Sequence, residues 1–507
     1  MKKITLLLCM LIVYMGSHAQ IIEKFELNPS DNGMPMTMVP FKNKLYFYAC
    51  TPAAGQEMIY TSGGATPTFT VLEDIFSTID CPVHILSWMN HCATVVNDHL
   101  VFTARPGTST YGNLYVYDGI NPVKMADAST PFIGLNPMNM VAMNNLLYYS
   151  ATGTNDRDLY VYNPITDVER LLVANAFGFS GIDGNNMVAF KGKLYVQGYN
   201  AATGSELYSY TPGQSSVVLV HDINAGTDGS FPQCLLVHNG KLYFVAGTTT
   251  HGNELWSYDG TNPPTRLTDV APGAGNGVDP LLYEDLVVYN NAVYFSGTDG
   301  TNGNELYKYD IATGNTSLVF EFRTSADGGD PASFKVYKNK LYFNATDSAE
   351  GPELWIYDGI NPPQMTILYP GNTGSQPFEF TEFQGDLYFR ALDTAIGREL
   401  FRIHDTTTPP DTSTYIPAIA TSPMQAIVYP NPTHDAATLE LTMYEPQTFG
   451  ITLSDVYGRT VHTIPPKQYN AGTQRITLPM QSLPAGMYYY RISNGNAQLA
   501  SGKVMKE

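Results

Sequence analysis

One unit recurs eight times between Leu45 and Phe401, and nothing else in the chain limits its fold as sharply. Each copy has a Lys-Leu-Tyr-Phe-like stretch, about a dozen further residues, and then a Glu-Leu-Trp-like stretch. The first stretch reads Lys44-Leu45-Tyr46-Phe47, His99-Leu100-Val101-Phe102, Leu146-Leu147-Tyr148-Tyr149 and Lys193-Leu194-Tyr195-Val196 in the first four copies. It reads Lys241-Leu242-Tyr243-Phe244, Ala292-Val293-Tyr294-Phe295, Lys340-Leu341-Tyr342-Phe343 and Asp386-Leu387-Tyr388-Phe389 in the last four. Leu45 and Leu387 lie 342 residues apart over seven intervals, a mean period of about 49. A repeat of that length holding several short strands is the signature of a β-propeller, with one blade per copy.

The copy from Pro331 to Tyr369 predicts four antiparallel strands: Ser333 to Tyr337, Lys340 to Ala345, Glu353 to Tyr357 and Gln364 to Leu368. Lys338-Asn339 and Asp358-Gly359 supply the tight turns, since Asn, Asp and Gly tolerate positive φ. Leu341, Tyr342 and Phe343 are all large, as expected where a blade packs a neighbour on both faces. These aromatics read as inter-blade core rather than as a sugar-stacking surface. The eighth copy stops after its third strand, Glu399 to Ile403, and Ile22 to Leu27 resembles a fourth strand. Pairing of these two segments is therefore expected to close an eight-bladed ring and remove its open edges.

The N-terminus has the form of a secretory signal over residues 1–19. Lys2 and Lys3 precede an apolar run from Ile4 to Tyr14, and Ser17-His18-Ala19 stands before Gln20. That run is too short to span a bilayer, and no other segment reaches 18 apolar residues, so no transmembrane segment is expected in the mature chain. Loss of Lys2 and Lys3 takes the formal charge from −19 to −21. An acidic chain lacks the basic face that nucleic acid or anionic lipid requires. Cys9 leaves with the signal, and four cysteines in the remainder do not make a disulfide scaffold. Cys81 and Cys92 close a short loop and are the expected pair, while Cys50 and Cys234 are expected to be buried thiols.

Glu254-Leu255-Trp256-Ser257-Tyr258-Asp259-Gly260-Thr261 and Glu353-Leu354-Trp355-Ile356-Tyr357-Asp358-Gly359 resemble the ELWxxDGT repeat family of bacterial extracellular proteins. The resemblance covers residues 20–405, with Asn113 and Asp158 in place of Glu in the second and third copies. It implies a propeller and no particular reaction. Residues 406–425, rich in Thr and Pro, read as a linker. Residues 426–507 carry short alternating strands at Thr438 to Thr442, Gly450 to Ser454, Arg475 to Leu478, Tyr488 to Ser493 and Leu499 to Val504. This spacing suits a small immunoglobulin-like β-sandwich.

Within that segment Tyr429-Pro430-Asn431-Pro432, the run Leu453 to Arg459 with Asp455 and Gly458, and Leu483 to Tyr488 with Gly486 occur in order. Lys503-Val504-Met505-Lys506 ends the series. The four motifs resemble the type A C-terminal sorting domain of the type IX secretion system of Bacteroidota. The resemblance implies Sec-type export to the periplasm, passage through the outer membrane by the type IX machinery, and release or surface attachment. It marks Pro430, Asn431, Pro432, Asp455, Gly458, Gly486, Tyr488, Lys503 and Lys506 as the sorting-signal residues.

Chemistry is sparse in this sequence. No zincin helix or catalytic triad can be placed among the ten histidines. Cys81, His84, His91 and Cys92 have the residue types of a four-ligand zinc site, set against the disulfide reading. Glu57, Glu206, Glu254, Glu305, Glu353 and Glu399 recur at the start of the third strand. Such a ring can bind a cation, but recurrence in a repeat is more simply structural. Loops such as Asp299 to Asn304 offer oxygen donors for Ca²⁺ without the EF-hand order. No cofactor is otherwise expected. Asp347-Ser348-Ala349 and Asp393-Thr394-Ala395 resemble the O-glycosylation acceptor triplet of Bacteroidota. Two functions remain open: a secreted or surface-attached protein binding or adhering to an extracellular glycan or protein, or a polymer-degrading glycosidase or lyase built on the propeller.

Overall fold

The computed structural model describes residues 3–4, 8–15, 18–29, 32–52, 55–75, 92–105, 111–126, 135–152, 157–174, 187–279, 286–393, 397–405, 425–429, 431–443, 447–455, 459–470, 472–494 and 497–507. Every regular element among them is a β-strand. The chain divides into two units, Met1–Tyr415 and Ile416–Glu507.

The described residues of the first unit form eight antiparallel sheets, six of four strands and two of five. Their leading strands are Met36–Phe41, Ala93–Val96, Leu135–Met143, Val188–Phe190, Gln233–His238, Val287–Tyr289, Ala332–Tyr337 and Phe378–Phe383. We number the sheets one to eight in that order. Each leading strand turns into the Lys-Leu-Tyr-Phe-like strand through two residues that both have positive φ, from Lys42-Asn43 (44° and 60°) to Gln384-Gly385 (50° and 80°). This is the type I′ geometry that matches strand twist, and it explains why Asn and Gly recur at these positions.

The Lys-Leu-Tyr-Phe-like strand is apolar throughout because its two faces enter two different cores. In sheet seven, Leu341 and Phe343 pack toward sheet six, while Tyr342 packs toward sheet eight. The same alternation gives eight cores in the first unit, each shared by two consecutive sheets, and one of them joins sheet eight to sheet one through Phe25, Tyr388, Leu400, Phe47 and Phe69.

Sheet eight is completed from the other end of the chain. His18–Phe25 runs antiparallel to Gly397–Asp405, with Gln20 opposite Asp405 and Phe25 opposite Leu400. Leu8–Met15 lies outside it as a fifth strand, and Lys3–Ile4 pairs with Phe69–Val71 of sheet one. At the join, Arg402 is 2% exposed. Its Nε lies 2.7 Å from Glu23 Oε2, its Nη1 donates to Gly64 O at 2.6 Å, and Nη1 lies 3.4 Å from Asp386 Oδ2. One buried cation thus ties the N-terminal strand to sheets eight and one.

The second unit holds a three-stranded and a four-stranded sheet around a core that includes Leu439, Phe449, Ile451, Leu478, Tyr490 and Ile492. Two of its strands, Gln425–Tyr429 and Thr460–Tyr469, were not anticipated from the sequence. Both are edge strands, and the second carries Pro465 and Pro466. An edge strand has no second partner, so it tolerates proline and needs no apolar alternation.

Candidate functional site

A cavity of about 360 Å³ lies among the leading strands of sheets three to eight. Five leading strands break register, between Met36 and Val39, Met138 and Val141, Gln233 and Leu236, Ala332 and Lys335, and Phe378 and Thr381. Each break holds one non-glycine residue in the left-handed region: Thr37 (54°), Asn139 (55°), Cys234 (55°), Ser333 (56°) and Glu379 (58°). Left-handed backbone is costly for such residues and persists where surrounding structure holds it. Four of these five line the cavity, beside Lys335 and an apolar wall that includes Met140, Met187, Leu236, Leu286, Phe334 and Phe380.

Among the described residues the lining contains a single carboxylate, Glu379, whose Oε2 accepts the Thr37 amide and whose Oε1 lies 3.7 Å from Arg390 Nη1. Acid–base cleavage of a glycosidic bond uses two carboxyl groups. The lining mixes apolar side chains with Asn139, Cys234, Ser333, Lys335 and Glu379, and a concave surface of that kind suits a small ligand. Of its residues only Cys234 was singled out from the sequence, and as a buried thiol rather than as part of a site. The leading strands are the least regular part of each copy, and only the structure sets them side by side.

The recurring glutamates occupy separate buried places, one per sheet. Glu206 accepts the amides of Ile223 and Asn224 at 3.2 and 3.1 Å and the Ser230 hydroxyl. Glu254 accepts Val270 N–H and Thr268 Oγ1–H, Glu305 those of Phe322 and Arg323, and Glu353 those of Leu368, Tyr369 and Ser375. Glu399 accepts Leu27 N–H at 2.8 Å and Gly33 N–H at 3.0 Å, pinning the segment that leads from the N-terminal strand into sheet one. Each carboxylate therefore staples the crossing to the next sheet. Trp256 and Trp355 add a second tie through Nε1 to Ala246 O and Ala345 O. Asp259 and Asp358 fix the following turn by accepting two backbone amides each. Asp347 does the same, accepting the amides of Ala349 and Glu350.

Burial pushes the carboxyl groups of Glu206, Glu254, Glu305 and Glu353 above their usual range, and that of Glu399 up to about 8. A raised carboxyl binds its proton more tightly in the folded state. Its stabilisation is full below the unfolded value near 4.5 and is lost as pH rises through the folded value. The turn aspartates act oppositely. Hydrogen bonds hold Asp118 and Asp259 down at about 2, and their contribution is lost as pH falls below about 4. Thermal stability should therefore peak near about pH 5 and fall by roughly 5 °C by pH 8. Glu399→Gln should flatten that slope; a melting temperature constant from pH 5 to 8 in the parent chain would contradict the account.

Cys50 and Cys92 differ from expectation, whereas Cys234 meets it. Cys92 is a free, buried thiol, so the Cys81–Cys92 disulfide is not formed. Its sulfur points into the core between sheets one and two, 3.4 Å from Thr37 Oγ1, a direction that sequence spacing does not reveal. Cys50 is disulfide-bonded rather than a thiol, and Cys234 is a buried thiol. Cys81, His84 and His91 lie outside the described residues, as do Thr394 and Ala395. Among the described residues no group of three His, Cys, Asp or Glu is placed to hold a metal ion.

In the second unit the four sequence motifs converge. Asn431 brackets the last strand, with Oδ1 accepting Met505 N–H at 2.8 Å and Nδ2 donating to Lys503 O at 3.2 Å. The last strand runs beside Gly486–Asn494, which places Lys506 opposite Gly486, Val504 opposite Tyr488 and Lys503 opposite Tyr489. Tyr489 in turn faces Ser454, the residue before Asp455. Asp455 accepts Arg459 N–H at 3.0 Å and Arg459 Nε–H at 2.8 Å, and Tyr488 donates its hydroxyl proton to Pro484 O at 2.8 Å. The Asn431–Pro432 bond is cis. Pro430 and Gly458 lie outside the described residues.

Residues 427–507 match the family model of the secretion system C-terminal sorting domain. This implies the type IX secretion machinery as a partner, export, and a surface or extracellular location. No described helix is long and apolar enough to cross a membrane. No curated protein matches the chain.

Solved structures with a similar fold include a prolyl endopeptidase (11% identity, TM-score 0.45, covering 69% of this chain and 54% of that one). A puromycin-hydrolyzing peptidase of Mycobacterium tuberculosis is alike at 12% identity and TM-score 0.46, covering 70% of this chain and 57% of that one. The β-propeller domain of the Trilobed protease from Pyrococcus furiosus is alike at 10% identity and TM-score 0.36, covering 74% and 98%. The chain thus spans little more than half the length of the two peptidases.

Proposed function

We propose that the chain is a secreted or surface-attached binding protein: an eight-bladed propeller with a ligand site on its axis, joined to an immunoglobulin-like sorting domain. In this reading residues 1–19 are a signal peptide and residues 406–425 a linker. The eight sheets are blades, and the cavity among their leading strands lies on the propeller axis. The observation that carries the proposal is the division of labour among acids. Glu206, Glu254, Glu305, Glu353 and Glu399 are consumed in stapling loops, whereas the described cavity lining holds mostly apolar side chains and one carboxylate already engaged by Thr37 and Arg390. That composition favours holding a ligand over cleaving a polymer.

The test is to incubate the purified secreted chain with polysaccharides, matrix proteins and small amphipathic compounds, recording both retention and new reducing ends or fragments. Retention without products supports the proposal. Formation of products overturns it in favour of an extracellular polymer-degrading enzyme.

A further inference from the structure

The register of the eight sheets defines one equivalent leading-strand position, and in four sheets its residue (Val188, Leu236, Val287 and Lys335) lines the cavity. In each sheet one leading-strand residue lies opposite the third residue of the Lys-Leu-Tyr-Phe-like strand. The eight are Val39, Thr94, Val141, Val188, Leu236, Val287, Lys335 and Thr381. All are half-buried. Seven are apolar or threonine, and Lys335 is the one charge. Structural repetition calls for a small β-branched or aliphatic side chain at this position, and a lysine there departs from the repeat in the middle of the cavity wall.

Lys335 has no hydrogen-bond or ion-pair partner among the described residues, unlike Lys24, Lys42 and Lys124, which reach Asp393, Asp98 and Asp167 at 2.7–2.9 Å. Glu379 lines the same cavity, but its charge is met by Arg390 and the Thr37 amide. Among the described lining residues, Lys335 is left as the one positive charge without a counter-charge. Removing an ammonium partly from water without a counter-charge is unfavourable, and a ligand anion relieves that cost.

We propose that Lys335 makes this cavity a receptor for a small carboxylate with an apolar body. The inference rests on the reading of the cavity as the ligand site. A single ammonium matches one negative charge, and no arginine is among the lining residues to offer a phosphate its fork. The apolar wall of Met, Leu and Phe side chains takes the hydrocarbon part, and a volume of about 360 Å³ is in the range of small-molecule sites.

The experiment is calorimetric titration of the full secreted chain, and of its Lys335→Met and Lys335→Arg variants, with octanoate, octanol and octylamine. Circular dichroism of each variant confirms that it is folded, as expected for a half-buried position. Octanoate should bind roughly 10- to 100-fold more tightly than octanol, Lys335→Met should erase that preference, and Lys335→Arg should keep most of it. If octanoate and octanol bind equally, or Lys335→Met leaves octanoate unaffected, the carboxylate assignment is wrong while the cavity remains a ligand site. If none of the three compounds binds, the cavity does not take such molecules and the carboxylate proposal falls, while retention of polysaccharide or matrix protein still decides the binding reading separately.

Discussion

Replacing Arg402 with methionine is expected to lower the stability of the first unit by about 3–5 kcal/mol, among the largest effects a single substitution can have here. The guanidinium is 2% exposed and faces Glu23, which is 5% exposed, so the substitution strands a carboxylate in a place without water. It also removes the hydrogen bond to Gly64 O at 2.6 Å and a cation–π contact with Phe25 at 5.4 Å. Asp386 fares better, because His404 Nδ1 lies 2.7 Å from it. Urea unfolding followed by the fluorescence of Trp256 and Trp355 measures the loss. Adding Glu23→Gln to Arg402→Met should recover part of it, since the stranded charge is then gone. A loss below about 1 kcal/mol would show that the pair is not what ties the N-terminal strand to its neighbours.

Removing residues 497–507 is expected to abolish delivery to the surface or medium as completely as deleting the whole sorting domain. Those residues form the strand Ala497–Lys506, which pairs along the full length of Gly486–Asn494 and brings Ala500 and Val504 into the core. Without them the Asn431 bracket has nothing to hold, and three of the four converging motifs lose their mutual geometry. The first unit has core clusters of its own and should still fold. Immunoblots of periplasmic, surface and medium fractions decide the matter. Truncated chain on the surface at the parent level would mean that the terminal strand is not part of what the machinery reads.

The architecture was legible because it is periodic. A strand repeated eight times with the same turn chemistry announces its partner locally, and strands such as Lys340–Thr346 and Pro352–Tyr357 fall within a residue or so of their predicted places. The pairing of the N-terminal segment with Gly397–Asp405 was legible for the same reason, as the missing strand of an incomplete copy. What lay beyond the sequence depends on groups brought together from far apart. The Arg402 cluster joins positions 23, 64, 386 and 402, and the cavity takes one or a few residues from each of six copies. The direction of the Cys92 sulfur is set by Thr37 and the core of sheet one, which no Cys spacing encodes. Lys335 was visible as a residue but not as an exception until strand register aligned it with seven uncharged counterparts.

Completion of sheet eight by the N-terminal strand also fixes an order in time. His18–Phe25 is synthesised first, and its partner Gly397–Asp405 follows more than 370 residues later. At ordinary elongation rates of about 5–20 residues per second, the interval is on the order of 20–75 s. Throughout it Ile22 has no core to enter, because its neighbours come from sheets seven and eight, whereas Phe25 meets Phe47 and Phe69 of sheet one far earlier. The chain must wait with its opening strand unspent, and any fragment that ends early keeps that strand available to pair with something else.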